Sequence, residues 1–268
     1  MKKQCCIKRG RKYKIEQGII PAAGKGSRLG KEDFASILPK ALLPIFDKPL
    51  ISYQIDNMSK IGISKVIIVI RKSDFLFQKF LKSYEHKGVE IEISYQDEFR
   101  GLGGALLTVE DVVDDHFVVI LGDDLTLSDN IANFIDFYLK NEKLNTQAYV
   151  REYDKKKISQ ACGLTIDDKN KIQDIVEKPT SSSIFKYRGI GLYALNRKIF
   201  SVLERTPIVN NEIRLTDSLR KLSSEGALMG FLLEGYNFNI NTIDDLSNAR
   251  RSIYRIMMGG RTRFHNTS

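Results

Sequence analysis

The chain has 268 residues, 42 Lys and Arg against 33 Asp and Glu, and a formal net charge of +9. Such a length buries a full core, either as one large α/β domain or as two closely packed halves, and the longest apolar runs, such as 66–70 and 117–121, are strand-sized and too short to span a bilayer. The excess charge sits at the ends: residues 1–14 carry seven Lys or Arg and residues 250–268 carry five Arg, with no acid in either, which leaves 30 basic and 33 acidic residues between them, so the high pI marks basic tails and argues against a nucleic-acid-binding face.

In chain order, the first apolar run, 18–23, reads as a buried strand that opens directly into a glycine-rich loop, Gly24-Lys-Gly26-Ser27-Arg28-Leu-Gly30, followed by Pro39-Lys40. Gly24 and Gly26 lack a Cβ, so backbone N–H groups can approach phosphate oxygens, small Ala22 and Ala23 leave room beside them, and Arg28 and Lys40 supply cations. The arrangement suits a nucleoside triphosphate. It is not a dinucleotide fingerprint, because the third glycine comes one position late and no apolar-faced helix follows. Nor is it a Walker loop, since Gly24 to Gly30 has five intervening residues and Lys31 is followed by Glu32.

Further strands are expected at 66–70, 89–95 and 117–121, alternating with helices at 49–61, 74–86, 104–111 and 128–139. That alternation predicts a mostly parallel sheet with helices on both faces. The first helix has Pro49 at its start, Leu50, Ile51, Ile55 and Met58 at helical spacing, and Gly62 as its stop. After residue 146 the texture changes to short β segments at 147–151, 162–166, 171–176 and 187–195, with an Asp-Asp-Lys-Asn turn at 167–170 making a hairpin of the middle two. Helices at 211–224 and 242–258 flank a strand at 227–233; Thr242 and Asp245 have capping-box spacing, and Gly259-Gly260 ends the last helix.

In an open α/β sheet ligands lie beyond the carboxyl ends of the strands, which is where both the glycine loop and Asp123 fall. A carboxylate on a rigid strand end can hold Mg²⁺, a hard cation that takes one or two carboxylates plus phosphate oxygens; Asp123 can equally cap a turn. His86, His116 and His265 are scattered and form no ligand spacing, while Cys5, Cys6 and Cys162 give neither a disulfide framework nor a C-x-x-C site. Those cysteines and a first segment too polar for a signal peptide lead to the expectation of a cytoplasmic protein.

The glycine loop followed by Pro39-Lys40-Ala-Leu-Leu-Pro44 resembles the signature of the sugar-phosphate nucleotidyltransferases, of the glucose-1-phosphate uridylyl- and thymidylyltransferase type. The likeness extends over residues 18–250 through an ordered set of motifs: Leu-Gly-Asp123-Asp124, Cys162-Gly163, Val-Glu177-Lys178-Pro179, Gly189-Ile-Gly-Leu-Tyr193 and Glu212-Ile-Arg-Leu-Thr216-Asp217. It implies a Rossmann-like mixed sheet with a small inserted β-rich sugar-binding part. The expected boundaries are a basic tail (1–16), one domain (17–250) with a nucleotide-binding half (17–145) and a sugar-binding half (146–250), and a C-terminal helix end with a basic tail (251–268).

The resemblance further implies that a hexose 1-phosphate reacts with UTP or dTTP to give an NDP-sugar and pyrophosphate. In it Arg28, Lys40 and Lys178 are catalytic, Ala22, Ala23, Gly24, Gly26, Ser27, Gln96 and Gly101 bind nucleotide, and Gly163, Glu177, Lys178 and Gly189 bind the sugar phosphate. Gln96 offers one acceptor and two donors, enough to meet the N3–H and carbonyl of uracil or thymine, though it could turn over to meet cytosine. Mg²⁺ falls to Asp123, with Asn239 standing where the family has a second metal carboxylate; Asn241 replaces that motif's glycine. A homo-oligomer with no nucleic-acid partner is expected. The lost carboxylate keeps open a second reading, a catalytically weakened nucleotide-sugar-binding regulatory protein or subunit of the same fold.

Overall fold

The computed structural model describes residues 14–24, 38–181 and 184–258. In chain order β1 (Gln17–Pro21), α1 (Leu50–Ile61), β2 (Lys65–Arg71), α2 (Phe75–Ser83), β3 (Glu90–Gln96), α3 (Gly101–Leu107) and β4 (His116–Ile120) form the first half. They give four adjacent parallel strands in the order β4-β1-β2-β3. Residues alternate between the two faces. Ile20, Ile68, Val118 and Ile120 pack with Ile51, Ile55 and Met58 of α1, and Ile19, Ile67, Val69 and Val119 pack with Ala105 and Leu106 of α3. Covered on both sides, the middles of β1, β2 and β4 have no polar face to display, which is why they are continuous apolar runs in the sequence, whereas β3 at the sheet edge alternates as Glu-Ile-Glu-Ile. Gly62 caps α1 at φ 97°, a left-handed conformation that a side chain resists.

The second half continues with β5 (Asp124–Ser128), α4 (Phe134–Lys140), β6 (Asn145–Arg151), α5 (Lys155–Gln160), β7 (Cys162–Ile166), β8 (Ile172–Glu177) and β9 (Tyr187–Asn196). It closes with α6 (Ile199–Leu203), β10 (Ile208–Val209), β11 (Glu212–Ile213), α7 (Leu215–Ser224), β12 (Leu228–Leu232), β13 (Gly235–Asn239) and α8 (Ile243–Met258). β9 inserts antiparallel between β4 and β6, and β12 follows parallel to β6, so one nine-stranded sheet draws on both halves of the chain. The β7–β8 hairpin hangs on β9 through antiparallel pairing of β7. The protein is thus α/β with a mostly parallel central sheet flanked by helices, as the sequence leads one to expect.

Several elements differ from the sequence expectation. Residues 128–139, expected as one helix, divide into the end of β5, a 3-10 turn at Ile131–Asn133 and the seven-residue α4. Instead β5 pairs antiparallel with β13, a strand the sequence does not announce, in a separate two-stranded ribbon. The helix expected at 104–111 starts three residues earlier and ends at Leu107, and that expected from 211 starts at Leu215 after the short strand β11. Helix α5, also unannounced, is held at its start by Asp154, whose side chain accepts from the Lys156 amide. The capping box does form: Thr242 Oγ1 accepts from the Asp245 amide and Asp245 Oδ2 from the Thr242 amide. A third apolar cluster, Leu43, Ile45, Leu50, Leu125, Ile240, Leu246, Ala249 and Ile253, fastens α8 and the ribbon to the segment that carries Lys40.

Candidate active site

β1 and β4 are neighbours, so the residues after both strands emerge at the same edge. The Gly122 amide donates to Pro21 O at 3.1 Å, and a Cβ on Gly122 would lie 3.0 Å from that oxygen and 3.1 Å from Ala22 Cβ; the two turns approach this closely because residue 122 has no side chain. Asp123, next in the chain, points its carboxylate at Lys40, with Nζ 2.9 Å from Oδ2. Lys40 lies on a 3-10 turn, Lys40–Leu42, after Pro39, and its side chain is only 14% exposed against 35% for Asp123. Lys40 Nζ also donates to Asn241 Oδ1 at 3.0 Å.

The β5–β13 ribbon brings in the rest. Its register sets Asn239 opposite Asp124, and the Ile240 amide donates to Asp123 O at 2.9 Å. Asn241 Nδ2 donates to Asn239 Oδ1. Asp123, Asn239, Asn241 and Lys40, more than 200 residues apart at the extremes, therefore form one connected cluster. Among the described residues no group of three or more His, Cys, Asp or Glu side chains is assembled that could hold a metal by itself. What the cluster offers a hard cation is one carboxylate and one amide oxygen.

Asp124 faces inward. It is 3% exposed, its Oδ2 accepts from the Gly191 amide, and its Oδ1 has no partner. Burial, then the neighbouring Asp123 charge, raises its pKa to about 6, against the pull of Arg188 and Lys40. Gly191 in turn accepts from the Leu121 amide at 2.8 Å, so the 121–124 turn is fastened to β9 twice. Arg188, 6% exposed, donates to Glu152 from β9 and to Asn237 on β13, which ties the large sheet to the ribbon.

The second group lies where β7 bridges β8 and β9: Cys162 pairs with Glu177 on one side and Gly189 on the other. Glu177 Oε2 accepts from Thr216 Oγ1 at 2.9 Å, which fixes one carboxylate oxygen against α7, and Lys178 Nζ lies 3.8 Å from Oε1. Lys178 is half exposed with φ 45°, a strained value for a non-glycine residue that also precedes a proline; its amide donates to Ala161 O at 2.7 Å and so holds the bend. Tyr193 lies within the field of both groups. The buried Tyr193 hydroxyl, raised first by burial and then by Cys162, is raised further by the charges of Asp124, Glu177 and Asp123.

Gly163 and Gly189 have packing reasons to be glycine. A Cβ on Gly163 would lie 2.5 Å from Phe185 Cγ, and one on Gly189 would lie 2.4 Å from Cys162 Sγ and 2.5 Å from Gln147 Nε2. Cys162 is buried and its thiol is pushed up to about 12 by burial and by Glu177. Gln96, at the end of β3, is 4% exposed with Nε2 unpartnered, and Gly101 begins the next helix at φ 71°, against Glu212 and Ile213. Ala22, Ala23 and Gly24 follow β1, and no atom of the described residues lies within 4 Å of where a Gly24 Cβ would be. Gly26, Ser27 and Arg28 lie outside the described residues. Sequence reasoning missed the contacts of Asn241, Arg188 and Gln147. Asn241 alone left a signal there, as a polar side chain just before a capped helix.

A family model described as nucleotidyl transferase matches residues 17–254, and the chain belongs to that family. Within it, a UTP--glucose-1-phosphate uridylyltransferase of Staphylococcus epidermidis is 31% identical over 257 residues, spanning 85% of this chain and 88% of the relative. The bifunctional protein GlmU of Methanocaldococcus jannaschii is 31% identical over 220 residues, 81% of this chain; the chain spans 49% of that relative's length. The crystal structure of a UDP-glucose pyrophosphorylase complexed with UDP-glucose superposes with a TM-score of 0.80 at 25% identity, covering 91% of this chain and all of the other.

Proposed function

We propose that the protein is a sugar-1-phosphate nucleotidyltransferase that joins a hexose 1-phosphate to UTP or dTTP, giving an NDP-sugar and pyrophosphate. The observation that carries the reading is the pairing of Lys40, on its 3-10 turn, with Asp123 just after β4, beside the end of β1 from which the glycine loop leaves. The sugar phosphate needs no general base, because a phosphate monoester has a second pKa near 6 and its attacking oxygen is already anionic at pH 7. The protein's work is to align two anions and neutralise their charge. Lys40 takes the α-phosphoryl oxygens, Arg28 the departing pyrophosphate, and Lys178, half exposed beside Glu177, the sugar phosphate. Glu177, with one oxygen held by Thr216, presents the other to sugar hydroxyls. The unpartnered Nε2 of Gln96 is a donor that a pyrimidine carbonyl satisfies.

Mg²⁺ suits the donor set, since Asp123 and Asn239 offer hard oxygens and the ion takes its remaining ligands from phosphates and water. When bound it neutralises phosphate charge. Asn239 brings no charge of its own, and this favours weaker metal binding. A panel of the five nucleoside triphosphates against several sugar 1-phosphates, read as pyrophosphate release, tests the reading. Turnover with UTP or dTTP and a hexose phosphate is expected; nucleotide-sugar binding without turnover for any pair would favour a weakened regulatory protein of the same fold, the reading to which the Asn239 substitution lends weight.

A further inference from the structure

Asn241 occupies the short connection between β13 and α8 and is engaged three times. Its Oδ1 accepts from Lys40 Nζ at 3.0 Å, its Nδ2 donates to Asn239 Oδ1, and its backbone amide donates to Asp245 Oδ2 at 3.0 Å. That last oxygen also receives the Thr242 amide at 2.8 Å in the helix cap. The backbone of residue 241 is therefore tied to the start of α8, which the third apolar cluster packs against Leu38 and Leu43, the residues on either side of Lys40's turn. Its side chain is an amide, which can accept from a cation at one end while donating to a carbonyl oxygen at the other.

We propose that Asn241 is a positioning residue for Lys40 in the reaction put forward above, and the inference rests on that reading. Lys40 has two partners, and they differ in charge. Asp123 is an anion for which a divalent cation competes; Asn241 is a neutral acceptor that leaves the full positive charge of Lys40 available to phosphate. When Asp123 turns its oxygens to a cation, Asn241 keeps the long, flexible lysine stem aimed at the site and limits the rotamer freedom that Lys40 must lose on meeting the nucleotide. Asn241 is not among the residues with positive φ, so Ala or Asp can replace it without backbone strain.

The test is a double-mutant cycle of Asn241→Ala and Lys40→Ala, with Asn241→Asp as the isosteric control and unfolding temperature as the check on folding. Asn241→Ala is expected to lower kcat by about tenfold, the scale of losing one hydrogen bond to a charged group, with KM for both substrates within about twofold. Added to Lys40→Ala it should cost less than about twofold more, because its effect runs through Lys40. Asn241→Asp, which keeps an oxygen on Lys40 but adds a second negative charge there and loses the donor to Asn239, should stay well below the parent. Unchanged kcat, a loss confined to KM, multiplicative losses in the double variant, or an Asn241→Asp variant as fast as the parent would each overturn the proposal. If the parent releases no pyrophosphate with any pair the reaction falls on its own, while turnover in the parent with multiplicative losses in the double variant refutes the Asn241–Lys40 coupling alone.

Discussion

Gly163 separates a packing role from a ligand role, because its place beside Phe185 can be stated in ångströms. A Cβ there would meet Phe185 Cγ, Cδ2 and Cδ1 at 2.5, 2.6 and 2.9 Å, where ordinary contact begins at 3.4 Å. The ring must retreat by about 0.9 Å, the difference between 2.5 and 3.4 Å, but Phe185 is 2% exposed and the interior around it is close-packed. Overpacking of this kind costs about 1–3 kcal/mol. At about 2–4 °C per kcal/mol, Gly163→Ala should lower the unfolding midpoint by about 2–12 °C. Scanning calorimetry measures it, and Phe185→Leu in the same chain should return part of the loss by making room. The KM for the sugar phosphate, measured well below the midpoint, should stay within about twofold. An unchanged midpoint with a large rise in that KM would refute the packing argument and make Gly163 a ligand contact.

Asp124, an acid with its folded pKa raised from 3.8 to about 6, makes the folded state bind more protons than the unfolded chain between those values, so it lowers stability as pH rises through that window and levels off above it. Asp124→Asn should remove this slope and be the more stable protein at pH 7.5, by up to about 3 kcal/mol, in urea unfolding across pH 4–8; a parent-minus-variant difference that ignores pH would refute it. Cys162, buried with its thiol pushed up to about 12, should resist iodoacetamide at pH 8 until urea unfolds the chain, and modification of the folded protein mapped to Cys162 by mass spectrometry would contradict the burial. Asn239→Asp, which sets a second carboxylate beside Asp123, should lower the Mg²⁺ concentration for half-maximal turnover severalfold, and an unchanged Mg²⁺ titration would remove Asn239 from the metal site.

The amino-acid sequence by itself determined the framework. The middles of β1, β2 and β4 are buried on both faces, so residues 18–20, 66–70 and 117–120 are apolar without interruption, and α1 carries its own start and stop in Pro49 and Gly62. It also placed the glycine loop and Asp123 at strand ends. What it could not show is pairing between distant segments. β5 and β13 read Asp-Leu-Thr-Leu-Ser and Gly-Tyr-Asn-Phe-Asn, short and half polar, and each becomes a strand only because the other lies beside it, some 110 residues away, with Asn237 bonded to Thr126. That register, and not any local preference, sets Asn239 opposite Asp124 and lets Asn241 reach Lys40. Tertiary packing likewise decided why Gly163 and Gly189 are glycine, since the missing Cβ makes room for Phe185, Cys162 and Gln147, side chains whose nearness follows from the three-strand pairing of β8, β7 and β9. Local pattern fixes which residues are buried; only the closed fold fixes what each of them is buried against.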